Sequence, residues 1–470
     1  MAKRYIEINK ILNFSKTILN KKNLNYKDFV FNHKDQCLRK ILVLTNFKDS
    51  TVGEYINSAY NKGIRGLILD RKVPKSIIPE KIPVCYSKYL SSNLNLFLSE
   101  IYNDPLKGKK IIGVTGTDGK TSLVHLLAQA YTAVGKKVGI VSTEGNGIYP
   151  RLYKSEYTTP RNDILFKYFN FFKNESVNLI IIESSSQGLD QGRLNHIKFD
   201  TSIITNITKD HLDYHKNYSS YIRSKCKLLD MTHKKIFLNI DCKNSNRLIN
   251  ITSSDAKVEY FNSKYKISSK HKTLLINNSA NKYNFSVTYS LLKQMRITDK
   301  KIIRIFSKIV PIPGRNNIIR KRGFAHFIID YAHTKDSLEA LLIDIREIFS
   351  LHTNKLIIVF GCGGDRDKRK RLEMGKVASS LCDIIILSDD NPRSEKSTKI
   401  INEINEGISE SKKVYKIANR RSAIKKSIKL SNPGDIVVIA GKGNEETIDY
   451  GRKTIIHNDI ECVKKLINEN

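Results

Sequence analysis

The chain has 470 residues, of which 40% are hydrophobic, and this length is enough for about three domain cores. Its formal charge of +35 comes from lysines spread over all regions, without an arginine-rich tract or aromatic platform, which argues against specific nucleic-acid binding. Its seven cysteines never form a C-x-x-C pair, and no signal peptide or membrane-spanning run is present, so a cytoplasmic protein without disulfides or zinc is expected.

Residues 1–106 predict a small amino-terminal α/β domain. Short apolar runs at 40–44 and 66–69 alternate with a helical pattern at 53–62. A proline and a glycine within 105–108 then form a linker, because both residues interrupt regular secondary structure.

Residues 107–313 predict a central nucleotide-binding domain with a mostly parallel sheet. Its apolar runs are short, β-branched and nearly continuous, as in strands that are buried on both faces. The expected strands are 110–115, 137–142, 178–183, 201–206 and 235–240.

Residues 314–470 predict a Rossmann-like, doubly wound carboxy-terminal domain, which begins after the proline-rich segment 310–314. The expected strands are 325–330, 356–361, 383–388 and 435–440, with helices near 334–348, 370–381, 397–409 and 419–430. In such folds ligands bind at the carboxyl ends of the strands, so we expect them in the cleft between the domains. The fold class is therefore α/β with three domains.

A glycine-rich loop predicts ATP chemistry. The segment TGTDGKTS (115–122) follows the first central strand and precedes a helical pattern that begins at Leu123. Small residues let backbone N–H groups surround a polyphosphate, while Lys120 can reach the β- and γ-phosphates and Thr121 can ligate Mg²⁺. The expected ATP-binding residues are Gly116, Thr117, Asp118, Gly119, Lys120, Thr121 and Ser122.

Two other strand ends carry candidate metal ligands. Glu183 ends the run 178–183, and His211 follows the run 201–206. Carboxylate, hydroxyl and phosphate oxygens are the ligands that Mg²⁺ prefers, so Glu183 and Thr121 make a sensible set together with ATP. His211 is a candidate ligand for a second metal ion.

A series of motifs in one order resembles the Mur ligase family and covers the central and carboxy-terminal parts almost end to end. The motifs are TGTDGKTS (115–122), TTP (158–160), ESSSQGLDQGR (183–193), NITKDHLDYH (206–215), YIRSK (221–225), PGR (313–315), DYAHTKDSL (330–338), GCGGDRDKRKR (361–371), DDNPR (389–393) and GKGNEE (441–446). The chain most resembles the members that add the third residue of the peptidoglycan stem peptide.

The resemblance implies roles for single residues. Lys225 matches a carbamylated lysine (N6-carboxylysine) that holds the second of two Mg²⁺ ions with Glu183 and His211, and these three residues and Lys120 are the expected catalytic residues. The expected contacts to a UDP-muramoyl dipeptide are Thr158, Thr159, Ser185 and Arg193. Further ATP contacts are expected from Arg315 and Asp330 after domain closure. The expected amino-acid contacts are Arg366, Asp390, Asn391, Arg393, Gly441 and Glu445.

The D-N-P-R motif at 390–393 is typical of family members that use meso-diaminopimelate. Its arginine can pair with the distal carboxylate of that substrate, which lysine lacks. The resemblance thus implies that ATP phosphorylates the D-glutamate γ-carboxylate of UDP-N-acetylmuramoyl-L-alanyl-D-glutamate and that an amine of diaminopimelate attacks the acyl phosphate. The amino-terminal domain would bind the UDP end, and the protein would be a monomer.

Other readings share parts of this pattern. A lysine-adding ligase, a ligase that recycles whole peptides and a folylpolyglutamate synthetase could share the loop and the metal site, and D-N-P-R argues against the first and the third. A nucleic-acid-binding protein would leave the ordered motifs unexplained, and an inactive homologue would not need its retained catalytic residues. The chain departs from the family pattern at Gln187, Val287 and Asn444, and segment 35–39 is a remnant of the family's uridine-binding motif.

Overall fold

The computed structural model describes residues 2–208, 212–242, 245–262, 279–349 and 354–469. Within these ranges the chain forms, in succession, three larger sheets that are wholly or mainly parallel, and a short hairpin near its carboxyl end. Helices connect most of the parallel strands, which is the arrangement that parallel pairing requires. The predicted α/β class is therefore confirmed, while the domain boundaries stay a prediction.

The amino-terminal sheet has four parallel strands in the order β1-β2-β3-β4. The strands are β1 (Phe29–Val30), β2 (Ile41–Leu44), β3 (Gly66–Leu69) and β4 (Val84–Tyr86). The helices are α1 (Ala2–Leu19), α2 (Asp49–Asn61) and α3 (Leu90–Ile101), with 3₁₀ turns at Tyr26–Asp28 and Lys75–Ile77. Phe97 of α3 packs in one apolar cluster with Phe166 of the central sheet's helix layer, which joins the two regions.

The central sheet has the order β12-β11-β10-β5-β9-β6-β7-β8, and all its pairs are parallel except β6-β7 and β7-β8. The strands are β5 (Lys110–Thr115), β6 (Val138–Ser142), β7 (Gly145–Ile148), β8 (Arg151–Tyr153), β9 (Leu179–Glu183), β10 (Phe199–Ile204), β11 (Thr232–Asn239) and β12 (Lys257–Phe261). The helices are α4 (Lys120–Ala133), α5 (Asn162–Asn174), α6 (Ser186–Asp190), α7 (Leu212–His215), α8 (Tyr218–Asp230), α9 (Ser245–Ile251), α10 (Ser279–Gln294) and α11 (Asp299–Phe306).

The carboxy-terminal sheet has the order β13-β14-β18-β15-β16-β17, and all its pairs except β13-β14 are parallel. The strands are β13 (Asn317–Ile319), β14 (His326–Asp330), β15 (Leu356–Phe360), β16 (Ile384–Leu387), β17 (Lys413–Lys416) and β18 (Ile436–Ala440), followed by the hairpin β19 (Thr447–Asp449) and β20 (Thr454–Ile456). The helices are α12 (Lys335–Phe349), α13 (Arg369–Leu381), α14 (Ser397–Asn405), α15 (Arg420–Leu430) and α16 (Asp459–Asn468).

Three predicted element bounds are wrong in ways that matter for the site. Helix α4 begins at Lys120 rather than Leu123, so the end of the glycine-rich loop forms its first turn. Strand β10 ends at Ile204 rather than at 206, and the two residues that follow are free to contact the loop. Helix α14 ends at Asn405 rather than at 409, because Gly407 lies against the backbone of α13, where a Cβ would come within 2.1 Å of a carbonyl oxygen.

The strand order places the polar strand ends together. All five residues of β9 are buried, and Glu183 is the polar one at its carboxyl end. Because β5 lies between β9 and β10, the glycine-rich loop after β5 is flanked by Glu183 and by the residues after β10. Among the described helices, none has both the length and the apolarity needed to cross a bilayer.

Candidate functional site

The glycine-rich loop between β5 and α4 has a conformation that only glycine allows at two positions. Gly116 has φ +151°, and a Cβ there would lie 1.9 Å from a threonine hydroxyl. Gly119 has φ +79° and is the N-cap residue that precedes α4, whose first turn has no side-chain cap. The backbone N–H groups of Thr117 and Asp118 donate to Asn206 Oδ1 at 3.1 and 2.9 Å. The loop thus directs an uncapped helix start, a favourable position for a polyanion, towards the cleft.

The Lys120 ammonium lies against the loop from which it would contact ATP. Its Nζ donates to the carbonyl oxygens of Gly116 and Thr117 at 3.1 and 2.8 Å. A lysine side chain is long and flexible, so phosphate oxygens can replace these two acceptors without a change in the backbone.

Glu183 is a buried carboxylate, 1% exposed, which three donors hold in place. Its Oε1 accepts a hydrogen bond from Thr121 Oγ1 at 2.9 Å. Its Oε2 accepts from the backbone N–H and the hydroxyl of Thr143 at 2.9 and 3.1 Å. Carboxylate and hydroxyl oxygens beside a phosphate loop are the donor set that a hard divalent cation requires, so these residues fit the predicted metal.

Lys225 of α8 is 1% exposed and reaches the same loop from the other side. Its Nζ donates to the Gly116 carbonyl and lies 4.4 Å from the centre of the Tyr221 ring. The Tyr221 hydroxyl is in turn 2.8 Å from Thr117 Oγ1, which packs α8 against the loop. The fourth predicted metal ligand, His211, lies outside the described residues. In the described ranges, no group of three His, Cys, Asp or Glu side chains is placed to hold a metal ion.

The four residues predicted to contact the UDP-linked dipeptide form one network beside Glu183. Thr159 Oγ1 donates to the Glu183 carbonyl at 2.7 Å and accepts from the backbone N–H of Ser185 at 2.9 Å. Arg193 donates to the Thr159 carbonyl. Thr158 Oγ1 accepts, at 2.9 Å, from the threonine hydroxyl that also contacts the Glu183 carboxylate.

A cavity of about 160 Å³ lies at the carboxyl ends of β14, β15, β16 and β18. All the predicted amino-acid contacts line it, namely Arg366, Asp390, Asn391, Arg393, Gly441 and Glu445. Tyr331, His333 and Lys370 also line it, and none of the three was predicted as a contact from the sequence. The residues come from separate segments of the chain and meet because the ends of parallel strands share one edge of the sheet.

One wall of this cavity is a fixed carboxylate. Glu445 Oε2 accepts from Lys442 Nζ at 2.6 Å and from Asn391 Nδ2 at 3.0 Å, while Oε1 accepts from the Tyr331 hydroxyl at 3.0 Å. Burial acts to raise the pKa of Glu445, but Lys442 and the other donors outweigh it and hold the pKa below its ordinary value. The carboxylate therefore stays ionised at neutral pH and suits an ammonium group on a ligand.

Arg393 brings a guanidinium to the same cavity. It has φ +53°, donates from Nη1 to the Gly364 carbonyl at 2.7 Å and lies 3.8 Å from an oxygen of Asp449. Its side chain is 27% exposed, so part of the guanidinium is accessible from the cavity. A guanidinium and a carboxylate in one small cavity are complementary to an amino acid with both charges.

A second cavity, of about 130 Å³, separates the glycine-rich loop from the carboxy-terminal domain. Its lining includes Gly119 and Ser122 on one side and Arg315 and Asp330 on the other. Asp330 accepts from two backbone N–H groups at 2.8 Å, and burial raises its pKa. The two predicted ATP contacts outside the loop thus lie across a cleft from it.

Comparisons with known proteins agree with this arrangement. Residues 114–319 match the family description "Mur ligase middle domain", and residues 314–443 match "Mur ligase, glutamate ligase domain". A protein of Wigglesworthia glossinidia brevipalpis named UDP-N-acetylmuramoyl-L-alanyl-D-glutamate--2,6-diaminopimelate ligase is 36% identical over 416 residues, which are 83% of either chain. The chain belongs to the Mur ligase family.

Solved structures of Mur ligases and their relatives share this fold. A structure titled as the same diaminopimelate ligase has a TM-score of 0.61 and 25% identity, and the match covers 94% of each chain. A bifunctional folylpolyglutamate synthase/dihydrofolate synthase, solved with Mn, AMPPNP and L-glutamate bound, has a TM-score of 0.58 and 17% identity over 75% of this chain and 91% of its own. The second likeness concerns the fold alone.

In this Mur ligase, several residues that hold the site were missed from the sequence. Thr143 and Asn206 come shortly after strand ends, close to the edge of the sheet where Glu183 ends β9, and this position could have indicated them. Arg420 carries no such signal, because it lies in an ordinary basic helix. Its fully buried guanidinium donates to both oxygens of Asp459 at 2.8 and 2.7 Å and to the carbonyls of Asp389 and Ala440. It therefore ties together the β16 and β18 ends that line the amino-acid cavity.

Proposed function

We propose that this protein is an ATP-dependent amide ligase that adds meso-2,6-diaminopimelate to the D-glutamate γ-carboxylate of UDP-N-acetylmuramoyl-L-alanyl-D-glutamate, in peptidoglycan precursor synthesis. It acts as a cytoplasmic monomer with domains at 1–106, 107–313 and 314–470. The observation that carries the proposal is the joint presence of Arg393 and the ionised Glu445 in one cavity of a Mur ligase. The name of the relative that is 36% identical supports the same substrate.

The charges of the cavity favour diaminopimelate over lysine. An ammonium group of the amino acid pairs with Glu445, and its distal carboxylate pairs with the guanidinium of Arg393. Lysine has no distal carboxylate for the partly buried guanidinium of Arg393, so it would lose this charge-assisted contact. Arg366, at the exposed rim of the cavity, adds a second cation for the same substrate.

The nucleotide and the metal belong to the central domain. Two Mg²⁺ ions would be held by Thr121, Glu183, His211 and Lys225 as its carbamate, and when bound they would screen the repulsion between ATP and the acceptor carboxylate. The folylpolyglutamate synthase structure was solved with AMPPNP and Mn bound, which supports the use of a nucleotide and a divalent cation. Lys120 exchanges its two carbonyl acceptors for phosphate oxygens and helps to neutralise the γ-phosphoryl group.

The reaction then proceeds in two displacements. The γ-carboxylate oxygen attacks the γ-phosphorus, the bond to ADP breaks, and an acyl phosphate forms. The amine attacks the acyl carbon, the bond to phosphate breaks, and the amine loses a proton to a base. Thr158, Thr159, Ser185 and Arg193 hold the UDP-linked dipeptide, and Arg315 and Asp330 approach ATP when the cleft closes. Closure excludes water, which would hydrolyse the acyl phosphate.

Phosphate release by the purified protein tests this proposal. The protein is mixed with ATP, Mg²⁺ and UDP-N-acetylmuramoyl-L-alanyl-D-glutamate, and then with meso-diaminopimelate, L-lysine or no amino acid. Release that depends on diaminopimelate is expected. Release with lysine at the same rate would retain a ligase but reject the assigned substrate, and no release from a folded, ATP-binding protein would reject the ligase activity on this acceptor.

A further inference from the structure

A cavity of about 760 Å³ lies at the end of α4 that is remote from the glycine-rich loop. Gln129, Thr132 and Ala133 of α4 form one side, and α11 with the residues that follow it forms the other. At 1.5 Å per residue, this end of α4 is roughly 14–20 Å from Lys120. The volume is in the range of small-molecule sites, and none of the ligands proposed above occupies it.

One side of this cavity is strongly cationic. Its lining contains Lys300, Lys301, Arg304 and Lys308. No carboxylate partner of these four cations is found in the part of the chain that the structure describes. The nearest acidic residue in sequence, Asp299, is paired with Lys293 at 3.0 Å and accepts from the Tyr289 hydroxyl at 2.8 Å. The cavity is therefore suited to an anion.

Four of the other seven lining residues carry mainly apolar side chains, and the remaining three are Gln129, Thr132 and Thr298. Ile305 is buried, Ile309 and Tyr149 are half-buried, and Ala133 closes the helix side. A free inorganic anion gains little from such surfaces, whereas an organic body gains from their burial. Lys300 and Arg304 are one helical turn apart, about 6 Å along the axis, so both can approach a single phosphate group.

The cavity adjoins the segment that leads to the carboxy-terminal domain. Gln129 Nε2 donates to the Val310 carbonyl at 3.0 Å, and the Val310 N–H donates to Gln129 Oε1 at 2.8 Å. This pair of hydrogen bonds attaches the start of segment 310–315 to α4, the helix that follows the phosphate loop. An occupant of the cavity would contact both α4 and the helix that precedes this segment.

We propose that this cavity binds an anionic organic molecule of nucleotide size, whose phosphate group pairs with Lys300 and Arg304 and whose apolar body lies against Tyr149, Ile305 and Ile309. The site is separate from the ATP site. A concave site with its cations grouped on one side suits a small phosphate ester better than it suits an extended polyanion, which would need a continuous charged groove.

Binding of 1-naphthyl phosphate tests the proposal by calorimetry, with the full-length protein saturated with AMPPNP and Mg²⁺ so that the ATP site is filled. Inorganic phosphate and 1-naphthol provide the phosphate alone and the apolar body alone. We expect the naphthyl phosphate to bind at least about tenfold more tightly than either, because both halves of the cavity contribute. No binding, or equal binding of inorganic phosphate, would overturn the proposal.

Two double variants test whether naphthyl phosphate binds in this cavity. Lys300→Ala with Arg304→Ala should weaken naphthyl phosphate binding about tenfold or more, since two charge-assisted contacts are lost. Lys425→Ala with Lys429→Ala is the matched control, because these cations also lie four residues apart on an exposed helix face and do not line the cavity. Equal weakening in both variants, with unchanged melting temperatures, would show a general charge effect and reject the site.

Discussion

The phosphate loop and the amino-acid cavity are built from the chain in different ways. The loop is one uninterrupted stretch, 116–122, whose shape depends on Gly116 and Gly119 and on one side chain, Asn206, that accepts from its backbone. The cavity combines the ends of four strands, and two fully buried arginines hold these ends in place. The phosphate loop, which is contiguous in sequence, depends mainly on its own residues. The amino-acid cavity, which combines distant segments, depends equally on residues that no ligand would contact.

The two buried arginines are Arg371 and Arg420. Arg371 pairs with Glu395 at 2.8 Å and donates to the Gly363 carbonyl at 3.2 Å, which fixes the loop after β15. Arg420 fixes the ends of β16 and β18 through Asp459 and two carbonyls. Removing one partner of such a pair leaves a buried charge uncompensated, so the cavity is sensitive to changes several ångströms from its surface.

The largest effect is expected from the loop itself. Lys120→Ala should lower kcat for phosphate release about 10³-fold, since no other described side chain of the loop can carry its charge to the γ-phosphoryl group. Lys136→Ala, an exposed lysine of the same domain, is the control and should retain full activity. Less than tenfold loss in a folded Lys120→Ala protein would contradict the assigned role.

The second expected effect concerns Lys225. If its carbamate holds a metal ion, Lys225→Ala should lose about 10²-fold in activity, and Lys225→Glu should retain about tenfold more than Lys225→Ala because it restores a carboxylate. The measurement is kcat at several Mg²⁺ concentrations. Equal activity of the two variants at every concentration would reject the carbamate.

The pairing of Glu395 with Arg371 beside the cavity should make stability depend on pH. Hydrogen bonding to Arg371 lowers the pKa of Glu395 from 4.5 to about 2. A lowered pKa gives stability that is present above pH 4.5 and is lost as the pH falls towards the folded-state value. Glu395→Gln should therefore be about 2–3 kcal/mol less stable than the wild type near neutral pH, and this difference should shrink as the pH falls below about 4.5.

Urea unfolding at a series of pH values measures this difference. Glu175→Gln is the matched control, because its carboxylate pairs with Lys137 at the surface and both side chains are nearly half-exposed. Its stability difference should be small at every pH. A difference for Glu395→Gln that stays constant from pH 7 to 3 would contradict the account of the Arg371 pair.

Arg393 should affect substrate choice more than catalysis. Arg393→Ala should raise KM for meso-diaminopimelate about tenfold to a hundredfold, since one charge-assisted contact is lost, with a smaller change in kcat. Arg393→Lys keeps the charge but loses the forked geometry, so it should lie between. The measurement compares kcat/KM for diaminopimelate and lysine, and unchanged discrimination in Arg393→Ala would reject the assignment.

The smallest effect on stability is expected at the exposed contact between the central and carboxy-terminal domains. Lys154 and Glu446 pair between the central and carboxy-terminal domains, but their side chains are 83% and 65% exposed. Lys154→Ala should change stability by less than about 0.5 kcal/mol. Asn444→Ala, which removes a donor from the part-buried Glu144 in the same interface, should cost about 1 kcal/mol or more. A larger effect of Lys154→Ala than of Asn444→Ala would reverse this expectation.

Features that depend on residues close together in the sequence could mostly be predicted from it. The apolar, β-branched runs predicted nine strands of the two larger sheets to within three residues, because burial on both faces leaves a continuous signal. The other strands of these sheets, β7, β8, β12, β13 and β17, were not predicted. The phosphate loop was found because its glycines and Lys120 are contiguous. The cavity residues were named through motif resemblance, and their convergence follows from parallel strand ends sharing one edge.

The sequence did not reveal the residues that act at long range. Nothing in the local pattern around Arg420 distinguishes it from the exposed lysines of the same helix, and its partner Asp459 is distant in the chain. Thr143 donates to Glu183 across a parallel strand pair, which depends on the order of strands rather than on spacing. Helix α1 was also missed, because its apolar side chains are scattered among lysines and asparagines.

Transfer of an oxygen isotope tests most directly whether the two regions act on one acyl phosphate. The acceptor is prepared with ¹⁸O in both oxygens of the D-glutamate γ-carboxylate and is converted with ATP and meso-diaminopimelate. The account predicts that each released phosphate carries one ¹⁸O and that the new amide retains the other, as mass spectrometry would show. Phosphate without ¹⁸O, formed together with the amide product, would contradict the acyl phosphate and the joint site.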